Sequence, residues 1–274
     1  MQPSPSGVVF FFVNTPPSGV FLFYNMKGEI LQQVTNRQRL HASIQGIIDE
    51  AHIDDRKMPG IAVALANRGV GIRVVTHTDS AARVLDTYTS DELAIARWYE
   101  SINHGKIIKA AEVRRGKIPD GEMLGNLPEA ILFLREAASE RIPDFIIAPH
   151  WLDPHPDHQA AYLTARAVAG DSIPFYVSDT ISGVDKNGDL VVPTHYIRLS
   201  RRCAGREIKG YDANKSQTEN LPPQDMEDVQ AVRNMTSRRG REIGVSHATV
   251  LVKINNGSSD DPIAEILGKD VILV

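Results

Sequence analysis

The chain has 274 residues, of which 42% are hydrophobic and 23% charged, and a formal net charge of −4. That balance excludes a disordered chain and a basic nucleic-acid binder, and it suits one large α/β domain or two small ones. Cys203 is the only cysteine. An intrachain disulfide is therefore excluded and a reducing, cytoplasmic setting is expected. No apolar run reaches the roughly 20 residues of a membrane span.

Residues 1–38 read as a β-rich appendage, and residues 39–274 as the main domain. Val8–Val13 and Val20–Tyr24 are aromatic and β-branched runs separated by Asn14-Thr15-Pro16-Pro17-Ser18-Gly19, the pattern of a hairpin, with Glu29–Val34 as a further strand. The aromatic density of this segment suits a subunit contact in a homo-oligomer. Leu40, Ile44, Ile47, Ile48 and Ala51 recur at helical spacing, yet Ile44–Ala51 also reads as the first strand of a sheet. Asp49 and Glu50 sit badly in a buried strand.

From Pro59 the rhythm is regular. A helix is predicted over Ile61–Asn67 and a strand over Gly71–Thr76. Thr89-Ser90-Asp91 caps a helix through Asn103, stopped by Gly105. A strand follows at Ile107–Val113, a helix at Asn126–Glu140, a strand at Phe145–Ala148 and a helix at Gln159–Val168. Later come strands at Phe175–Ser178 and Thr194–Leu199, helices near Glu207–Ser216 and Asp225–Arg241, and a strand at Ala248–Val252. This alternation predicts an α/β fold: a Rossmann-like, mostly parallel sheet with helices on both faces, plus the N-terminal β-hairpin appendage. Ligands in such folds bind beyond the carboxyl ends of the strands.

The chemistry-bearing stretch is His150-Trp151-Leu152-Asp153-Pro154-His155-Pro156-Asp157-His158, directly after the apolar run Phe145–Ala148. It reads as a loop stiffened by Pro154 and Pro156. Imidazole and carboxylate are the ligand and acid–base groups that zinc sites use. His155 and His158 serve either as two ligands or as one ligand and one catalyst. A catalytic zinc takes three protein ligands and keeps one position open, and His52-Ile53-Asp54-Asp55 is the best cluster to complete the set. Adjacent carboxylates can divide labour, one binding metal and the other acting as base. Asp79 reads equally as an acceptor for a substrate hydroxyl or as the cap of a short turn. His77 reads as a core residue. Arg97 and Glu100 have the spacing of a helical surface pair. Trp151 reads as a stacking face for a sugar ring or as a hydrophobic plug.

Ala51-His52-Ile53-Asp54-Asp55 resembles the Ala-His-Pro-Asp-Asp signature of the LmbE/PIG-L zinc N-deacetylases, and His155-Pro156-Asp157-His158 is similar to that family's second signature. Val74–Ser80 resembles its strand ending in Thr-Asp-Gly, Arg97-Trp98-Tyr99-Glu100 its Arg-x-x-Glu, and Lys215-Ser216-Gln217 its late His-x-Ser-Gln. The layout is nearest to the diacetylchitobiose deacetylase branch. The resemblance implies a strand before His52, and it implies one zinc per chain, or another divalent transition metal, held by His52, Asp55 and His158. It implies Asp54 as general base, His155 as the group that stabilises the oxyanion or protonates the leaving amine, and Asp157 as the residue that orients His155. Asp79, Arg97 and Trp151 become candidate substrate or loop contacts. The implied activity is removal of an N-acetyl group from an amino sugar or its conjugate. Ile53 stands at the family's proline, Arg56 where an acid is common, and the glycine-rich run is reduced to Met58-Pro59-Gly60. Two alternatives stay open: a two-metal phosphoesterase on the same His/Asp set, and a non-catalytic carbohydrate- or metal-binding relative.

Overall fold

The computed structural model describes residues 12–15, 20–24, 30–35, 44–52, 59–81, 88–180, 183–219 and 223–274. The N-terminal strands β1 (Phe12–Thr15), β2 (Val20–Tyr24) and β3 (Ile30–Thr35) pair antiparallel with one another in a separate sheet. The turn expected between β1 and β2 and the segment around Leu40 fall, in part or whole, outside the described residues.

The second sheet has eight strands. Its parallel part runs, in spatial order, β6 (Glu112–Ile118), β5 (Gly71–Thr78), β4 (Gln45–Glu50), β7 (Phe145–Ala148) and β8 (Phe175–Ser178). Beyond β8, β10 (Ala248–Ile254), β9 (His195–Arg198) and β11 (Val271–Leu273) continue it antiparallel. Helices α1 (Pro59–Ala66), α2 (Ser90–Ile108) and α5 (Arg201–Asp212) lie on one face with α8 (Pro262–Leu267). Helices α3 (Leu127–Glu140) and α4 (Pro156–Ala169) cover the other. Two further helices, α6 (Lys215–Thr218) and α7 (Pro223–Glu242), precede β10, against which α7 packs. No helix among the described residues is long and apolar enough to cross a membrane.

Over the described residues 44–52 the conflict resolves as the strand β4. β4 is central, so every residue from Gln45 to Glu50 is buried and the period-2 signal disappears. Ile47 and Ile48 point to opposite core clusters, and burying each stabilises the fold by roughly 1.5–3 kcal/mol. Asp49 is tolerated because its Oδ1 lies 2.7 Å from Nε2 of His77 on the adjacent strand, with both side chains fully buried. His77 also meets Phe133 edge-on, which is the core role expected of it.

Four expectations are corrected. Gly105 does not stop α2, which continues to Ile108 and ends on Lys109 in a left-handed conformation, φ 64°. Gly105 is needed for packing: a Cβ there would sit 2.4 Å from Cγ2 of Val113. The strand expected at 107–113 is consequently shifted to β6. The helix expected near 207–216 is two helices, α5 and α6, broken at Ala213-Asn214. Finally, α4 begins at Pro156 rather than Gln159, so Asp157 and His158 belong to a helical turn and not to a loop.

Candidate metal centre

The site forms where strand order reverses. After β4 the chain crosses to β5 and then β6 on one side, and β7 lies on the other side of β4. The connections leaving β4 and β7 therefore diverge and open a crevice at their carboxyl ends. His52 follows β4 by two residues. His155 and His158 start the helix that follows β7.

Local chemistry explains why α4 starts where it does. Pro156 occupies the first turn, where its missing N–H costs nothing. His155 is the N-cap, and its Nδ1 accepts the backbone N–H of Asp157 at 3.2 Å. Both oxygens of Asp157 accept backbone amides from the turn after β6, Gly121 N at 2.7 Å and Met123 N at 3.1 Å. Its Oδ2 is also 3.7 Å from Nε2 of His52. The link between Asp157 and His155 thus runs through the Asp157 backbone, while the carboxylate ties α4 to the β6 turn.

The three histidines differ in burial and in hydrogen-bond role. His52 and His158 are buried, whereas His155 is exposed at the mouth. Thr78 Oγ1 gives its proton to the Ala51 carbonyl at 2.9 Å, so it accepts from Nδ1 of His52 at 3.0 Å. Asp153 Oδ1 accepts from Nδ1 of His158 at 2.7 Å. Both buried rings therefore carry their proton on Nδ1 and offer a lone pair at Nε2. His155 is the reverse: its Nδ1 is an acceptor, so its proton is on Nε2.

This donor set fits a metal ion. One nitrogen each of His52, His155 and His158 lie within 4.8 Å of one another. Nε2 of His52 and Nδ1 of His155, both turned as acceptors, stand 3.5 Å apart, an arrangement that a nearby cation or proton favours. Asp54 and Asp55, the other predicted base and ligand, lie outside the described residues together with Ile53 and Arg56.

The remaining predicted residues surround this centre. Asp79 Oδ1 accepts the backbone N–H groups of Ala81 and Asp120, both at 3.1 Å, so it ties the β5 and β6 turns together. Arg97 is buried rather than part of a surface pair. Its guanidinium donates to the Ser80 carbonyl and lies 3.8 Å from Asp120 Oδ2. Ser80 stands where the resembling family has glycine, and it is left-handed with φ 57°. Arg97 thus grips a strained loop tip. Glu100, one turn on, accepts Ser216 N at 2.9 Å and Oγ at 2.7 Å, which anchors the Lys215-Ser216-Gln217 segment. Trp151 stacks on His150 at 3.9 Å between ring centroids and packs toward Tyr162.

Two residues at the centre escape the sequence reading. Asp120 Oδ1 is 3.3 Å from Nδ1 of His52. Its signal, Pro119-Asp120-Gly121, is a strand-end turn that becomes visible once β6 is placed at 112–118. Asp153 precedes Pro154 within the quoted motif, five residues before His158, and is almost fully buried.

Residues 48–169 match the profile of the PIG-L family, described as GlcNAc-PI de-N-acetylase. That stretch includes His52 and the His155–His158 motif. Among solved structures it resembles the N,N'-diacetylchitobiose deacetylase of Pyrococcus horikoshii, with 18% identity, 77% of this chain and 84% of that one covered, and a TM-score of 0.63. It also resembles the zinc-inhibited form of teicoplanin deacetylase Orf2, with 14% identity, 79% and 100% coverage, and a TM-score of 0.61. A third likeness is to GalB, the 4-carboxy-2-hydroxymuconate hydratase of Pseudomonas putida, with 14% identity, 80% and 99% coverage, and a TM-score of 0.61. Curated protein sequences give no match. At these identities the solved structures establish the fold, and because a hydratase shares it, the reaction has to be argued from the site.

Proposed function

We propose that the chain is a zinc-dependent N-deacetylase that hydrolyses the acetamide of an N-acetylated amino sugar or a conjugate of one. One metal ion per chain would be held by His52, Asp55 and His158. The observation that carries this reading is the division among the histidines: two buried rings whose Nδ1 atoms donate to Thr78 and Asp153, beside an exposed ring whose Nδ1 accepts a helix amide. The match to a family described as de-N-acetylases supports the choice of substrate class.

A bound zinc ion polarises an amide carbonyl and lowers the pKa of water toward about 7. The chain's own residues supply the rest. Asp54 takes the proton of the attacking water. His155, with a proton on Nε2 and its ring fixed by the α4 amide, donates to the developing oxyanion or to the departing amine. A preorganised donor of this kind is worth about 10²–10³ in rate. Asp157 holds the first turn of α4 against the β6 turn, and Asp79 and Arg97 fix the neighbouring rim. Trp151 offers an aromatic surface beside the mouth. The absence of a disulfide-capable cysteine pair supports a cytoplasmic setting for the same enzyme.

The cluster His52, Asp120 and Asp157 favours one competing reading, two metals and phosphoester cleavage. The backbone amides already on both Asp157 oxygens weigh against a bridging role for it. Elemental analysis of the purified chain, with acetate release followed from N-acetylglucosamine, its dimer and inositol conjugates, separates the two. The deacetylase predicts one zinc, activity abolished by a chelator and restored by zinc. Two metals with phosphatase turnover would overturn it.

A further inference from the structure

Asp153 lies between β7 and α4, and its N–H, its carbonyl and its Oδ1 are each held. Its N–H donates to the His150 carbonyl at 3.0 Å, and its carbonyl accepts Nε2 of Gln159 at 2.8 Å. Its Oδ1 receives both Nδ1–H of His158 at 2.7 Å and the backbone N–H of His155 at 3.0 Å. The side chain is 4% exposed, so the interaction with the His158 ring takes place largely away from water.

We infer that Asp153 is a positioning residue for metal binding: it holds His158 in the tautomer that turns the Nε2 lone pair outward, and it fixes the ring against the first turn of α4. The inference rests on reading His158 as a ligand. An ionised carboxylate only accepts, so its contact with Nδ1 places the proton there. Loss of such a partner typically costs 10–100-fold in metal affinity. One oxygen serves the His158 side chain and the His155 backbone together, so the two histidines are set by a common anchor. A mere helix cap is a poorer account of the geometry, because the cap of α4 is already supplied by His155.

The test uses the full chain and zinc itself. Affinity is measured by competition with a chromogenic chelator, and the His158 tautomer by long-range ¹⁵N NMR on the metal-free protein. Asp153→Ala is expected to lower zinc affinity about 10–100-fold and to move His158 away from the Nδ1–H form. Asp153→Asn keeps an acceptor oxygen without the charge, and its loss should be smaller. A purely structural role would lower the unfolding midpoint but leave the tautomer where it was. If Asp153→Ala fails to fold, Asp153→Asn carries the test through a measurable affinity loss. Variants that bind zinc as tightly as the parent would overturn the inference. A parent that binds no zinc would instead defeat the ligand reading beneath it, so the two failures are distinguishable.

Discussion

His155 and His158 leave the same turn of α4 three residues apart, with their protons on different nitrogens. That difference gives opposite expectations for the same substitution. His158→Ala should lose zinc in elemental analysis. His155→Ala should keep it, with kcat for acetate release reduced about 10²–10³-fold. Asp54→Ala should also keep zinc and lose about 10²–10⁴ in kcat, the range for a general base. A His155→Ala chain that loses its metal would show that the ring is a ligand. The presence of both histidines was legible in the sequence, and their spacing resembled a known signature. Their tautomers were not, because these depend on Thr78, Asp153 and a helix amide that only the fold brings into contact. Asp120 was hidden for a related reason: its strand had been placed five residues too early.

Among elements, the parallel strands and most helices were readable from apolar runs and punctuation. Failures occurred where tertiary contacts override local pattern. β4 carries Asp49 and Glu50 inside a sheet because a histidine on β5 meets the first of them. α2 runs through Gly105 because that glycine faces Val113 closely, not because the helix ends there. Gly105→Ala should therefore destabilise the chain by about 1–3 kcal/mol, as overpacking does, although alanine is the better helix former. Urea unfolding measures this, and an unchanged midpoint would return Gly105 to a simple helix-end role.

The face of α5 makes a pH-dependent prediction. Glu207 is buried against Gly60 at the start of α1, its Oε2 has no hydrogen-bond partner, and burial pushes its pKa from the usual 4.5 up to about 8. Between those values the folded chain holds a proton that the unfolded chain has released. Stability therefore falls as pH rises through this window and levels off above about 8. Glu207→Gln removes that slope. The variant should gain on the parent at pH 8.5 by on the order of a few kcal/mol, with the gap closing near pH 5. His104 on α2 acts in the opposite sense. Burial lowers its pKa from 6.5 to about 4, so its contribution is lost as pH falls through that range. Urea midpoints of metal-free protein at the two pH values check the Glu207 sign.

At the scale of the whole molecule, the reversal of strand order around β4 brings two motifs a hundred residues apart into one crevice. The N-terminal strands pair only with one another among the described residues. A chain beginning at residue 39 is therefore expected to unfold cooperatively and to bind zinc with the stoichiometry of the full chain. Loss of cooperative unfolding on truncation would make residues 1–38 part of the main domain. The fold is shared with both deacetylases and a hydratase, so the central claim concerns the bond that is broken. The most direct measurement is acetate and free amine released from N-acetylglucosamine, its dimer and inositol conjugates by the zinc-loaded chain, with and without chelator. The account predicts equimolar acetate and amine from at least one of these, abolished by the chelator and restored by zinc. A zinc-loaded, folded chain that releases no acetate from any of them would contradict it.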